Sequence, residues 1–159
     1  MIDVFIADYR TPAQVNAVVS LLDNYARDPA GGGTPLAENI KQALPSALAA
    51  RPQMFSVLAF DHGQPVGLVN CIESFSTFAC KPLINLHDVF VLASYRGQEI
   101  VQRMFSCVEG EARARDACKL TLEVLSGNQP ALRAYQREGF VSFQLDPSFG
   151  KALFLQKNL

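Results

Sequence analysis

The chain has no tryptophan, two histidines in 159 residues and a net charge of only −1. So balanced a charge gives no general electrostatic argument for nucleic acid or an acidic membrane as partner. The four cysteines (Cys71, Cys80, Cys107, Cys118) form no CxxC pair and have no histidine at ligand spacing. That argues against a zinc site, and no metal is expected; buried free thiols are the simpler reading. No apolar run reaches membrane length and no secretory pattern opens the chain, so the expectation is a cytoplasmic protein. Internal repeats and low-complexity segments are missing too.

What remains is an ordinary globular composition, 49% apolar and 18% charged, in a length best read as one domain over residues 1–159. Charge is unevenly spread. Residues 1–80 hold four basic and seven acidic side chains and residues 81–159 hold ten and eight, which is compatible with a phosphorylated ligand in the C-terminal half.

Periodicity predicts a first strand over Ile2–Ala7. Thr11-Pro12-Ala13-Gln14 opens a helix, with Thr11 as cap and Gln14 closing a capping box. Val15, Val18, Val19, Leu22 and Ala26 fall on one face of it. The run Asp28–Pro35 ends it, and is either a plain connection or a mobile border to a binding site. A second helix, Leu36–Ala50, carries Leu36, Ile40, Leu44 and Leu48 on one side and Pro45 inside it. Met54–Phe60 and Pro65–Ser76 are strands joined by the turn Asp61-His62-Gly63-Gln64. His62, on that exposed turn, is assigned no chemistry.

Leu86–Leu92 then reads as a buried strand that feeds an amphipathic helix through Tyr95-Arg96-Gly97-Gln98. On that helix Val101, Met104, Phe105, Val108 and Ala112 form the buried stripe. A strand–turn–helix junction aims the helix's unpaired N–H groups and its dipole at whatever lies above the strand, which favours an anion. Lys119–Leu125 is a further strand. Asn128 caps a helix running to about Glu138, and Phe140–Gln144 and Ala152–Gln156 complete the order β-α-α-β-β-β-α-β-α-β-β. That order is an α/β (α+β) fold: a mixed, mostly antiparallel central sheet of six to seven strands, flanked by four helices.

Two motifs carry a family resemblance. Arg96-Gly97-Gln98-Glu99-Ile100-Val101 follows a valine-rich strand and resembles the Arg/Gln-x-x-Gly-x-Gly/Ala motif of the GNAT superfamily of N-acetyltransferases. Glu99 and Val101 stand where the family has glycines. Downstream, Asn128, Ala131, Tyr135, Gly139 and Phe140 reproduce the family pattern Asn-x-x-Ala-x-x-x-Tyr-x-x-x-Gly-Phe. The resemblance covers essentially the whole chain and implies an acyl-CoA N-acyltransferase fold.

It also implies acetyl-CoA as co-substrate and acetyl transfer to a primary amine of a small molecule or a protein. Backbone at Val89, Phe90 and Val91 would hold the pantetheine arm and polarise the carbonyl. The loop of Arg96, Gly97, Gln98, Glu99, Ile100 and Val101 would cradle the pyrophosphate, with Asn128, Ala131 and Tyr135 completing the cofactor side. Tyr135, a phenol protonated at neutral pH, would donate to the departing thiolate. The base is open. Simple alternation puts Asn85, His87, Val89 and Val91 on one face and Leu86, Asp88, Phe90 and Leu92 on the other. His87 and Glu73 are the candidates, and water-mediated deprotonation would need neither. Because of Glu99 and Val101, the alternative is a non-catalytic acetyltransferase-like domain with weakened CoA binding, serving as a ligand- or partner-binding module. No residue discriminates a monomer from a homodimer.

Overall fold

The computed structural model describes residues 1–159. Its elements are β1 (Ile2–Ile6), α1 (Pro12–Arg27), α2 (Glu38–Ala49), β2 (Met54–Asp61), β3 (Gln64–Ser76), β4 (Lys81–Val91), α3 (Ile100–Ala114), β5 (Leu120–Leu122) and α4 (Gln129–Arg137). Strands lie in the order β1-β2-β3-β4-β5; the first four pair antiparallel, and β5 joins β4 in parallel after the α3 crossover. This is the mixed, mostly antiparallel sheet with four helices that the sequence predicts, with a correction in strand number.

The sheet has five strands, not six to seven. The expected strands Phe140–Gln144 and Ala152–Gln156 are irregular, and neither pairs with another strand. Between them Asp146 accepts from the Ser148 N–H at 2.8 Å and starts a short 3-10 turn over Pro147–Phe149, which breaks the extended chain.

The chain divides into two compact units, Met1–Leu122 and Glu123–Leu159. In the second, Asn128 caps α4 as expected, its Oδ1 accepting from the Ala131 N–H at 3.3 Å. Tyr135 packs edge-on to Phe140 with ring centroids 6.2 Å apart.

The first unit holds the sheet and two layers over it. On one face, Ala17, Val18 and Leu21 of α1 and Leu48 of α2 pack on Leu58, Leu68 and Phe90. The stripe on α1 is therefore centred on Val15, Val18 and Leu21, one step round from the expected Val19 and Ala26. α1 starts at Pro12 behind Thr11, yet Thr11 makes no side-chain cap; Gln14 Oε1 instead accepts from the Asp8 N–H at 2.7 Å. On α2 only Leu48 is fully buried, and Ile40 is 46% exposed.

The other face of the sheet carries α3, with Ile100, Met104, Phe105, Val108 and Ala112 buried. Ile100 replaces the expected Val101 because the helix begins at Ile100 and turns that residue inward. Gly67 on β3 admits the helix closely: a Cβ there would lie 3.1 Å from Met104 Sδ and 3.2 Å from Ala59 Cβ. The β2–β3 connection is the predicted hairpin, with His62 and Gly63 both at positive φ (47° and 81°) as a two-residue primed turn requires.

One irregularity decides the rest. The β3–β4 register runs Leu68↔Phe90, Val69↔Val89 and Asn70↔Asp88, then jumps to Cys71↔Leu86 and Ile72↔Asn85. His87 is the extra residue of a β-bulge. Past it the inside–outside alternation of β4 reverses. Leu86 and Ile84 consequently share a face with Val89 and Val91, whereas Asp88 and Phe90 face α1 and α2. The simple alternation that grouped Leu86 with Asp88 is corrected by that bulge.

Candidate active site

Asp88 ends a chain of hydrogen bonds that crosses three strands' worth of sheet. Ser56 and Asn70 are buried, Ser56 Oγ donates to Asn70 Oδ1 at 2.6 Å, and Asn70 Nδ2 donates to Asp88 Oδ2 at 3.0 Å. The Tyr9 hydroxyl lies 2.8 Å from Ser56 Oγ. Ser56 has one proton and spends it on Asn70, so Tyr9 is the donor to Ser56. Every donor in the row Tyr9–Ser56–Asn70–Asp88 thus points toward the carboxylate. Such an aligned row polarises itself and fixes the carboxylate oxygen on which it ends. Burial pushes the Tyr9 phenol up, so it stays a donor at any physiological pH.

That carboxylate opens into a cavity of about 380 Å³ on the α1/α2 face. Its floor is Asn70, His87 and Asp88, and its walls include Leu22, Tyr25, Leu36, Leu44, Leu48 and Met54. Here lies the use of the apolar side of α2 that the core does not bury. Tyr25 stacks at a tilt on Phe90, 5.7 Å between centroids. Its phenol is pushed up by burial first, with Asp88 and Asp28 adding to the shift.

Gly31 of the Asp28–Pro35 connection lines this cavity, and the connection carries hydrogen bonds of its own. Asp28 Oδ1 accepts from the Ala30 N–H at 2.9 Å, and Leu36 N–H donates to Asp23 Oδ1 at 2.8 Å. Gly31 packs so close to Tyr25 that an added Cβ would lie 2.0 Å from its carbonyl oxygen. Asp28 Oδ2 also accepts from Arg96 Nη2 at 2.8 Å.

Arg96 therefore reaches back across the molecule rather than forward over the turn it opens. Its Nε donates to Val91 O at 3.1 Å, and its guanidinium lies 5.9 Å from the Phe90 ring centroid. Gly97 and Glu99 are both left-handed, φ 80° and 59°. Gln98 Nε2 donates to Ser94 O, and Glu99 stands at the N-cap of α3 with no side-chain hydrogen bond. Its backbone conformation is the one glycine adopts without penalty. Val101 is in the first turn of α3 with ordinary helical geometry.

Beside this turn the outer edge of β4 runs on past the end of its strand partner. β5 pairs only with Ile84–Leu86, so from His87 onward that edge has no strand partner. Leu92 N–H donates to Val66 O at 3.0 Å, with Val91 opposite Gly67 and Val89 opposite Val69. Antiparallel alternation then turns the N–H and C=O groups of Val89 and Val91 outward, toward that edge.

Of the expected bases, His87 is exposed on the bulge and lines the cavity. Glu73 is elsewhere. It lies on the α3 face, where Arg115 Nη1 holds its carboxylate at 2.9 Å and Arg115 stacks 4.6 Å over Phe55. Sequence reasoning missed Asp88, Asn70, Ser56 and Tyr9. The available signal was a polar residue inside each of three apolar strands.

The Acetyltransferase (GNAT) family model matches residues 19–140, a span that runs through β4, the Arg96 turn and α4. The chain belongs to the Acetyltransferase (GNAT) family. Among solved structures, this GNAT chain is similar to a probable acetyltransferase, with TM-score 0.80, 19% identity and 99% of each chain covered. It is similar to the aminoglycoside acetyltransferase meta-AAC0020 from an uncultured soil metagenomic sample, solved with sisomicin (TM-score 0.80, 10% identity, 99% of this chain and 96% of that one). It is similar as well to AAC(6')-Iy in complex with a CoA-containing bisubstrate analogue (TM-score 0.76, 15% identity, 100% of this chain and 99% of that one). At these identities the likeness is one of fold. No curated protein sequence matches the chain. No helix is long and apolar enough to cross a membrane.

Two outcomes follow from the turn. Glycine at position 99 removes the left-handed penalty but adds unfolded-state entropy, so Glu99→Gly should raise the unfolding free energy by roughly 0.5–1 kcal/mol. Val101→Gly has no such strain to relieve and should lower it. Urea denaturation of both variants checks the opposite signs; a loss on Glu99→Gly would mean that the conformation carries no penalty. The second outcome concerns Asp28, whose carboxyl is held below its ordinary range by the Arg96 hydrogen bond first and the Ala30 N–H next. A depressed carboxylate contributes stability that is complete above its unfolded value, near 4, and is lost as pH falls through the folded one. Stability should fall below about pH 4, and Arg96→Met should flatten that fall. Superimposable acid-denaturation curves for the two proteins would exclude the pair as a contributor.

Proposed function

We propose that the chain is a single acetyl-CoA-dependent N-acetyltransferase domain acting on a primary amine. The observation that carries this reading is Asp88. It is a carboxylate oriented by a buried row of donors, facing a cavity, on the same strand whose opposite edge is unpaired at Val89 and Val91.

The residues suit the donor. The outward N–H and C=O of Val89 and the outward N–H of Val91 match the amides of an extended pantetheine arm, the Val91 carbonyl being held by Arg96 Nε, and the N-terminus of α3 beside Gly97 favours a pyrophosphate. When bound, acetyl-CoA supplies a thioester that an amine can attack, forming a C–N bond as the C–S bond breaks. The outward N–H groups of Val89 and Val91 are the donors available to the carbonyl oxygen. Asp88, with Oδ2 fixed by Asn70, offers Oδ1 to the amine, first as partner of the ammonium and then as acceptor of its proton. His87 lines the same cavity and is the second group able to take that proton. The family motif implies a proton-donating role for the Tyr135 phenol toward the departing thiolate, and Asn128 caps the helix that carries it through the Ala131 N–H. The balance is an ammonium and a thioester in, an amide, a thiol and one proton out.

Glu99 places a carboxylate at the mouth of the anion site, but the backbone donors remain. CoA binding weaker than with glycine there is expected rather than none.

The reading is tested by thiol release from acetyl-CoA across a panel of amines. Asp88→Asn should lower kcat/KM by roughly 10²–10⁴-fold and Tyr135→Phe by roughly 10²-fold, with CoA affinity and folding nearly unchanged. Full turnover in Asp88→Asn would remove Asp88 from the chemistry. No turnover with any amine, from a folded protein that binds CoA, would defeat the enzyme reading.

A further inference from the structure

The cavity at Asp88 is lopsided in its chemistry. One end holds the Asn70–Asp88 pair and His87, while Leu22, Leu36, Leu44, Leu48 and Met54 supply an apolar wall. No cation of the protein pairs with Asp88, whose partner in the protein is the Asn70 amide. The other acids on this side are spent: Asp23 holds Arg27 and the Leu36 N–H, and Asp28 holds Arg96 and the Ala30 N–H. The cavity thus offers one carboxylate without a cationic partner and an apolar wall.

We propose that the acceptor is a primary amine with one positive charge on a compact apolar body, an arylalkylamine or short branched alkylamine. This rests on the acetyl-transfer reading and names the substrate class of that same site. The ammonium sits at Asp88 and the apolar body lies against the leucines of α1 and α2 and Met54. A cavity of about 380 Å³ is at the small end of the range for ligand sites, and takes a body of that kind. A polycation would have to leave its second ammonium against leucine, desolvated and unpaired, which is the costly outcome. A peptide would bring backbone amides into a wall that has few partners for them.

Acetylation converts the ammonium into a neutral amide with release of one proton, so the product loses its charge pairing with Asp88 while keeping its apolar contacts. Product should therefore bind more weakly than substrate at the same site.

The test has a binding arm and a turnover arm on the full chain. In the binding arm, calorimetry measures 2-phenylethylamine, its N-acetyl product, spermidine and kanamycin without acetyl-CoA. The amine should bind at least tenfold tighter than its acetylated product and than either polycation, and Asp88→Asn should erase the advantage of amine over amide. In the turnover arm, kcat/KM for 2-phenylethylamine or isopentylamine should exceed that for spermidine, kanamycin and a lysine-containing peptide by at least 100-fold. A second variant, Leu36→Glu on the cavity's loop side, should raise relative turnover of a diamine such as cadaverine by about tenfold by giving its far ammonium a partner. Preference for spermidine, kanamycin or the peptide would overturn the proposal while leaving acetyl transfer standing. Should no amine release thiol, acetyl transfer fails and the binding arm still decides the ligand class: equal binding of amine and amide, or of native protein and Asp88→Asn, overturns it.

Discussion

One extra residue in one strand shapes this molecule. β3 and β4 are the longest strands of the sheet, and the bulge at His87 reverses the inside–outside alternation of β4. On its N-terminal side, Ile84 and Leu86 face α3; beyond it, so do Val89 and Val91. Without the bulge, the face that takes Ile84 and Leu86 would also take Asp88, and a carboxylate would lie under α3. With it, Asp88 points into the α1/α2 cavity and meets Asn70. The same local twist and the short reach of β5 leave the far edge of β4 without a strand partner beyond Leu86. Acceptor side and donor side of the proposed reaction are thus two faces of five consecutive residues, His87–Val91.

The polar row behind Asp88 is the second constraint. Ser56 and Asn70 are buried polar side chains set among the buried Phe55, Val57, Leu58, Leu68, Val69 and Cys71 of β2 and β3. Replacing both with apolar residues would remove their own desolvation penalty together with the hydrogen bond between them, but would take from the Tyr9 hydroxyl and the Asp88 carboxylate the partners they have in this row. What would be lost is direction: nothing would fix the Asp88 carboxylate. The arrangement spends polar groups on orientation, which a site needs more than a core does.

Local signals in the sequence were legible and long-range ones were not. Pro12, Asn128 and the His62-Gly63 turn act within four residues, and each starts or turns the element expected of it. The family motifs located β4, the Arg96 turn and α4 for the same reason. The bulge depends on a strand fifteen or more residues away, and alternation alone mis-sorted Leu86 and Asp88. Arg96 was expected at the turn it opens, and is held by Asp28 68 positions earlier. Glu73 looked like a base because its partner, Arg115, is 42 residues distant. The two C-terminal strands failed differently: apolar alternation was present in Phe140–Gln144 and Ala152–Gln156, but a strand also requires a neighbour to pair with, and neither has one.

The central claim is that the thioester and the amine meet across β4 at the bulge. A crystal structure of the protein with CoA tests it most directly. The account predicts the pantetheine arm extended along the outer edge, its amides paired with Val89 and Val91, the pyrophosphate at the start of α3 beside Gly97, and the sulfur close to His87 and Asp88. Pantetheine bound away from the Val89–Val91 edge, or a sulfur on the α3 face with no path to Asp88, would contradict it.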